Sequence, residues 1–336
     1  MDFLNALVAL ANFVFIPAIA YGSQLALGAL GVTLIYGILR FSNFAHGDTM
    51  AIGTMFTILV TWGLQALGVS FGPLPTALLA IPFGIVLTSL LVLGTDRLVY
   101  RFYREQKAKP VILVIVSMGV MFIYNGLTRL IIGPGDQNFA DGERFLISAR
   151  DFRDLTGLSE GLALKSTQAI TVVVAFLVVA LLFWFLNHTR TGKSMRAYSD
   201  NEDLALLSGI NPERVVMVTW IIVAALAVVA GTLYGLDKSF KPFTYFQILL
   251  PIFASAIVGG LGSPLGAIAG GFIIAFSEVG ITYAWKKVLA YMLPESLEPS
   301  GLVQLMSTDY KFAVSFVILI IVLLFRPTGL FKGKSV

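Results

Sequence analysis

Thr167-Gln-Ala-Ile-Thr-Val-Val-Val-Ala-Phe-Leu-Val-Val-Ala-Leu-Leu-Phe-Trp-Phe-Leu-Asn-His188 carries no Asp, Glu, Lys or Arg, and Arg190, Lys193 and Arg196 follow it at once. About 20 apolar residues are what a helix needs to cross the ~30 Å hydrocarbon layer of a bilayer. A strand of an outer-membrane barrel would alternate polar and apolar side chains, and this stretch does not. It reads as a membrane-spanning helix with a basic end. Outward from it the same pattern recurs at 17–40, 45–67, 75–99, 110–133, 213–236, 246–262, 264–284 and 308–326. The expectation is an all-α polytopic bundle of about eight to ten membrane segments, forming a single transmembrane domain over 1–336.

Two regions depart from simple spans. Residues 3–16 are apolar but too short to cross comfortably, so they read as an interfacial or partly inserted helix. They begin Met1-Asp2 without a basic stretch, which argues against a cleaved signal peptide. The block 246–262 runs into Gly259-Gly260-Leu261-Gly262-Ser263-Pro264, which a straight helix does not carry. The stretch 246–284 is therefore expected to form a hairpin or re-entrant pair with its break buried in protein.

Composition excludes several classes of function. The chain is 57% hydrophobic and 12% charged, about half the charge of a soluble domain. Its net charge of +4 comes from basic residues at span ends rather than from one basic face, so nucleic acid is not an expected partner. There is no Cys, and the two histidines, His46 and His188, lie far apart without ligand-like neighbours. No metal site is expected. No Ser/His/Asp set, carboxylate pair or cofactor fingerprint is present, so no catalytic residue is assigned and the chain does not read as an enzyme.

Lys and Arg in short loops set orientation. Arg97, Arg101, Arg104, Lys107 and Lys109 fall in 96–109; Arg190, Lys193 and Arg196 follow the fifth block; Arg326, Lys332 and Lys334 close the chain. All three regions are expected on the cytoplasmic side, which block order permits if 246–284 crosses twice. The loop 134–166, with Asp136, Asp141, Glu143, Asp151, Asp154 and Glu160, then lies in the periplasm with the N-terminus. Lys286 and Lys287, on the outer side, run against the rule.

The loop 189–212 carries the sharpest local signal. It contains Gly192, Arg196, Asp200, Glu202, Leu204, Leu207, Gly209 and Ile210. Ser199 and Glu202 have capping-box spacing, which predicts a helix start. Gly209 suits a stop, and Asn211-Pro212 suits the cap and first residue of the next span. A short cytoplasmic helix results, with Leu204, Leu207 and Ile210 beside Asp200, Glu202 and Asp203. It could seat in a groove on a partner, and a solvated connector satisfies the pattern equally well. Gly192-Lys193-Ser194 resembles the end of a Walker A motif, but Asn187 occupies the first-glycine position and the stretch leaves a membrane helix, not a strand.

Between the first two blocks, Asn43-Phe-Ala-His46-Gly47-Asp48 combines a His with an Asp at a span boundary. A proton relay is one reading. A structural turn is favoured, with Asn43 capping the next helix and Gly47 allowing a close approach. Gly262, Gly266 and Gly270 follow four-residue spacing, which places small residues on one helix face for close packing. Glu278 falls inside the 264–284 block, and Asn125 and Arg129 near the end of the fourth; a buried carboxylate needs a partner or a wet cavity.

Taken in order, these segments resemble the LivH-type permeases of the branched-chain amino acid ABC importers. The resemblance rests on Asn43-Phe-Ala-His-Gly-Asp48; Arg190-Thr-Gly-Lys-Ser-Met-Arg-Ala; Leu206-Leu-Ser-Gly-Ile210 with Arg214; Ala230-Gly231; Val258-Gly-Gly-Leu-Gly-Ser-Pro-Leu-Gly-Ala267; and Arg326-Pro-Thr-Gly329. It covers nearly the whole chain. Two departures stand out: 285–307, with Pro294, Glu295, Glu298 and Pro299, exceeds the usual connector, and Asp48 stands where Glu is frequent. The resemblance implies a multi-pass bacterial inner-membrane permease paired with a LivM-like subunit or a second copy of itself. It also implies two cytoplasmic ABC ATPases, which bind the ATP, and a periplasmic binding protein that delivers substrate. It assigns 190–212 to the contact with an ATPase. Asn43, His46, Gly47, Asp48, Gly259, Gly260, Gly262, Pro264, Gly266 and Glu278 are the candidates for the translocation path or its packing. Related permeases for urea, short amides or other small polar solutes would share these features, and an ion-coupled secondary transporter would need an acid near a broken helix.

Overall fold

The structure, a computed structural model, describes residues 2–293, 301 and 303–331. In chain order the first helices are α1 (Asp2–Leu39), α2 (His46–Ala66), α3 (Ala77–Glu105) and α4 (Pro110–Ile132). A small excursion follows, made of β1 (Phe145–Ile147), α5 (Ala149–Thr156) and β2 (Leu164–Lys165), with the two strands antiparallel. Next come α6 (Ser166–His188), α7 (Arg190–Asp200), α8 (Glu202–Leu207), α9 (Pro212–Lys238), α10 (Pro242–Gly259) and α11 (Pro264–Thr282). The last two are α12 (Lys286–Met292) and α13 (Thr308–Phe325). Among the described residues, 9 helices are long and apolar enough to cross a membrane. The chain is an all-α polytopic bundle.

The expectation of a separate segment at 3–16 is corrected: Asp2–Leu39 is one helix of 38 residues. Pro17 has no N–H and would crowd the carbonyl four residues earlier. The helix absorbs this by a π turn over Ala11–Phe15, where the Ile16 N–H reaches back to the Ala11 carbonyl. At 1.5 Å per residue α1 is about 57 Å long, well beyond the ~30 Å hydrocarbon layer. Its first turns pack on α12, where Ala6, Ala9 and Val288 are buried together.

The contacts between loops sort the helix ends into two sets. On one side, Gln137 pairs with Phe240, Asp141 accepts from the Thr76 N–H at 2.7 Å, and Glu160 accepts from Lys287 at 2.8 Å. On the other, Arg101 meets Glu213 at 2.7 Å and the Arg40 guanidinium donates to the Ser199 carbonyl at 2.6 Å. Pro294, Glu295, Glu298 and Pro299, like Lys332 and Lys334, lie outside the described residues.

α9 is the central helix, with 72% of its most apolar window buried, whereas α13 has 11% and lies outermost. Around α9 pack α1, α2 and α3. The seam is knit by small residues: a Cβ on Gly53 would meet Val228 at 2.6 Å, and one on Gly84 would meet the Thr57 hydroxyl at 2.2 Å. Lipid chains are as apolar as Leu, so close backbone packing of this kind supplies the attraction between membrane helices.

Candidate functional site

The helices place the sequence-derived candidates in three groups. The first lies at the start of α2. Asn43 stands just before the helix and accepts from the Ala45 N–H at 3.1 Å and from the Tyr100 hydroxyl at 3.3 Å. It closes the turn, but Ala45 is the residue that caps α2. His46 and Asp48 are fully buried. Two residues apart on a helix are about 200° apart around its axis, so these side chains meet different neighbours. The His46 ring lies against Gly31 of α1, where a Cβ would come within 2.5 Å of it. Asp48 faces α4 and accepts from the Asn125 side chain at 2.7 Å. His46 and Asp48 therefore meet different helices, α1 and α4. Gly47 allows the approach of α10: a Cβ there would sit 2.7 Å from the Tyr245 carbonyl.

The second group is the hairpin of α10 and α11. The helix begins at Pro242 rather than 246, which lengthens the first arm to 18 residues. Both arms are long and apolar enough to cross a membrane, with the turn at 260–263. Here Gly260 and Gly262 have φ of 110° and 85°, backbone that only glycine adopts without strain. The freed backbone groups are paired. Ser263 N–H donates to the Gly260 carbonyl at 3.0 Å, and the Ser263 hydroxyl caps α11 by accepting from the Gly266 N–H at 3.2 Å. The C-terminal segment completes the set: Leu330 N–H donates to Val258 at 2.9 Å and Phe331 N–H to Gly259 at 3.1 Å. The turn is stitched by the tail, a contact the sequence reading did not foresee.

Gly259 and Gly266 meet backbone to backbone, and Gly270 faces the Ser255 carbonyl, where a Cβ would lie 2.0 Å away. This glycine face is covered by α10 of the same chain. Gly262 does not share it and has open space where a Cβ would be. Glu278 is buried near the opposite end of α11, 14 residues beyond Pro264 and so about 21 Å away along the helix. Its carboxylate accepts from the Ser315 hydroxyl of α13. Glu278 and the broken turn therefore do not form one site.

The third group is the connector between α6 and α9, which holds two helices where the sequence predicted one. α7 starts at Thr189, whose hydroxyl accepts from the Gly192 N–H at 3.0 Å. Gly192 is required because any Cβ would strike the Phe185 carbonyl at 2.3 Å. Ser199 lies inside α7 and does not begin α8; Asn201 caps α8, accepting from the Leu204 N–H at 3.0 Å. Glu202 accepts from the Tyr198 hydroxyl at 2.7 Å, and burial together with this carboxylate pushes the Tyr198 phenol above its usual range. Gly209 ends the helix with φ 79°, and the Asn211 side chain accepts from the Arg214 N–H at 3.2 Å above Pro212. Ala205 is buried, Ile210 packs on the core, and Leu204 and Leu207 are 61% and 85% exposed.

α7 joins the second group at a cleft of about 440 Å³, lined by Thr33 and Gly37 of α1, Asn187 of α6, Arg196 and Asp200 of α7, and Gly262 to Leu265. Among the described residues, no cluster of three or more His, Cys, Asp or Glu residues is placed to hold a metal.

The family described as branched-chain amino acid transport system / permease component matches residues 15–323. The chain belongs to this family. It is a transport permease, not an enzyme. The permease is 32% identical over 323 residues to the high-affinity branched-chain amino acid transport system permease protein LivH of Escherichia coli, covering 95% of this chain and 94% of that protein. It is 30% identical over 330 residues to the corresponding protein BraD of Pseudomonas aeruginosa, covering 96% and 95%. A probable LivH of Methanocaldococcus jannaschii is 29% identical over 319 residues, covering 93% and 90%.

Sequence reasoning missed the pairs that cross the bundle: Asp48 with Asn125, Arg40 with Ser199, and Asp96 with Trp220 at 2.7 Å. Polar residues inside apolar blocks were the available signal, but it does not say which two will meet.

Proposed function

We propose that this permease is one of two membrane subunits of an ATP-driven importer in the cytoplasmic membrane, moving branched-chain or related amino acids delivered by a periplasmic binding protein. The observation that carries the reading is the pair α7–α8. It presents Leu204 and Leu207 to the cytoplasm, and its other face is tied into the spans through Ala205, Ile210 and the Arg40–Ser199 bond. Exposed leucines on a charged helix mark a docking surface. A partner that grips this helix also moves α7, which lines the cleft beside the 260–263 turn.

An ATPase seated there would couple nucleotide-driven closure to rearrangement of α1, α6 and α11, in an alternating-access cycle. The substrate class is supported by the long alignments with proteins named for branched-chain amino acid transport. Asn43, Gly47, Gly259 and Gly266 serve in this reading as packing that shapes the path. Glu278, tied to Ser315, serves as a link between α11 and α13. The test is uptake into proteoliposomes holding this chain, its partner permease and two ATPases. Leucine, isoleucine or valine should enter only with internal ATP and external binding protein; entry without either overturns the reading.

A further inference from the structure

The cleft beside α7 does not stand alone. A second cavity of about 170 Å³ lies higher on the same seam, lined by Ile19, Ser23 and Ala26 of α1, Val172 and Val179 of α6, and Phe272 of α11. The seam keeps to one face of α1, since Ile19, Ser23, Ala26, Thr33 and Gly37 follow helical spacing. From Asn187 to Val179 is 8 residues of α6, about 12 Å, close to the depth of one leaflet's hydrocarbon. The lower cleft is bordered by polar groups and the upper cavity is almost wholly apolar.

Two observations identify the occupant. Arg196 lines the cleft and donates to the Asn187 side chain at 2.8 Å, and Arg190 and Lys193 precede it at three-residue intervals on α7, all three exposed. Asp200 is the acid at this rim. In addition, Thr33 lines the cleft and is buried, yet its hydroxyl has no partner in the protein. An arginine at the rim, an unpaired hydroxyl donor and a separate apolar cavity farther along the same seam match a phosphate, an ester carbonyl and an acyl chain in that order.

We propose that the seam between α1, α6 and α11 binds an anionic phospholipid of the cytoplasmic leaflet, with its phosphate at Arg196 and an acyl chain running toward Val179. The lipid is then a structural ligand between the connector that meets the cytoplasm and the hairpin turn. Asp200 selects glycerol-type headgroups, whose hydroxyls donate to a carboxylate, over those bearing a second phosphate.

The test is native mass spectrometry of the assembled permease complex in mild detergent, titrated with phosphatidylglycerol or phosphatidylcholine. Phosphatidylglycerol should remain bound in preference to phosphatidylcholine. Arg196→Gln should weaken retention about five-fold, the effect of one basic contact at a membrane surface. Val179→Trp, which fills the apolar cavity without touching the rim, should also lower retention, and Lys109→Gln should not. Equal retention of the two lipids by the unmodified complex overturns the proposal, as does unchanged retention in both seam variants. So does efficient crosslinking of Val179→Cys to a second permease chain, which would show that protein occupies the seam.

Discussion

Gly266 and Asp48 show how single residues hold this bundle in place. A Cβ on Gly266 would come within 2.3 Å of the Gly259 carbonyl, a rigid backbone atom. Leu at this position must separate α10 from α11, whereas Ile273 is 37% exposed and has room to change. Overpacking costs roughly 1–3 kcal/mol. Gly266→Leu should therefore lower the thermal midpoint and the yield of folded protein, and Ile273→Leu should leave both near wild type. The covering helix belongs to the same chain, so the defect should appear without the partner permease; equal effects at the two positions would contradict this packing. At Asp48, the Asn125 side chain supplies a 2.7 Å hydrogen bond to a buried carboxylate. A hydrogen bond to a charged group contributes about 1.5–3 kcal/mol. Asn125→Ala should destabilise the permease by about that amount, and an Asp48→Asn background should reduce the loss. A double-mutant cycle on thermal unfolding reads the coupling directly.

At the scale of elements, two assemblies are separable. A cap at one end of the bundle joins the start of α1, α12 and the 158–163 segment through Glu160, whose N–H donates to the Asn5 side chain at 3.1 Å and whose carboxylate accepts from Lys287 at 2.8 Å and Tyr291 at 2.6 Å. Burial alone would raise this carboxyl, but the Lys287 and Tyr291 contacts outweigh it and hold Glu160 below the usual carboxylate range. A carboxyl depressed on folding gives stability that is present above its unfolded value, about 4.3, and is lost as pH falls through the lower folded value. The midpoint advantage of wild type over Glu160→Gln should thus be full at neutral pH and shrink below about pH 4. An advantage that grows on acidification would contradict the assignment. The connector between α6 and α9 was legible in part. Gly209, Asn211 and Pro212 gave its end correctly, because turn and cap chemistry is local. Its beginning was misread, because Asn201 competes with Ser199 for the cap. That Gly192 folds α7 back onto α6 depends on a contact with Phe185, which sequence spacing does not reveal.

For the molecule as a whole, the apolar blocks and the Lys/Arg asymmetry made the spans and their alternation readable, because both reflect the bilayer rather than tertiary contacts. What lay beyond reach was lateral: the continuity of α1 through its π turn, the tail stitched to the hairpin turn, and the opposed directions of His46 and Asp48. Cysteine placed at Lys107 should be labelled from the cytoplasm and at Asp151 from the periplasm, using the natural absence of cysteine as background. Labelling of position 151 only from the cytoplasm would reverse the topology. In the coupling we propose, α8 transmits ATPase work to the spans. The Ala205 N–H donates to the Asn201 carbonyl at 3.0 Å within this helix. Proline at 205 removes that bond and costs about 3 kcal/mol in helix stability. The most direct measurement is substrate-stimulated ATP hydrolysis and leucine uptake by the reconstituted Ala205→Pro complex, alongside its membrane insertion. The account predicts normal insertion with hydrolysis and uptake lost together; uptake retained at the wild-type rate would contradict it.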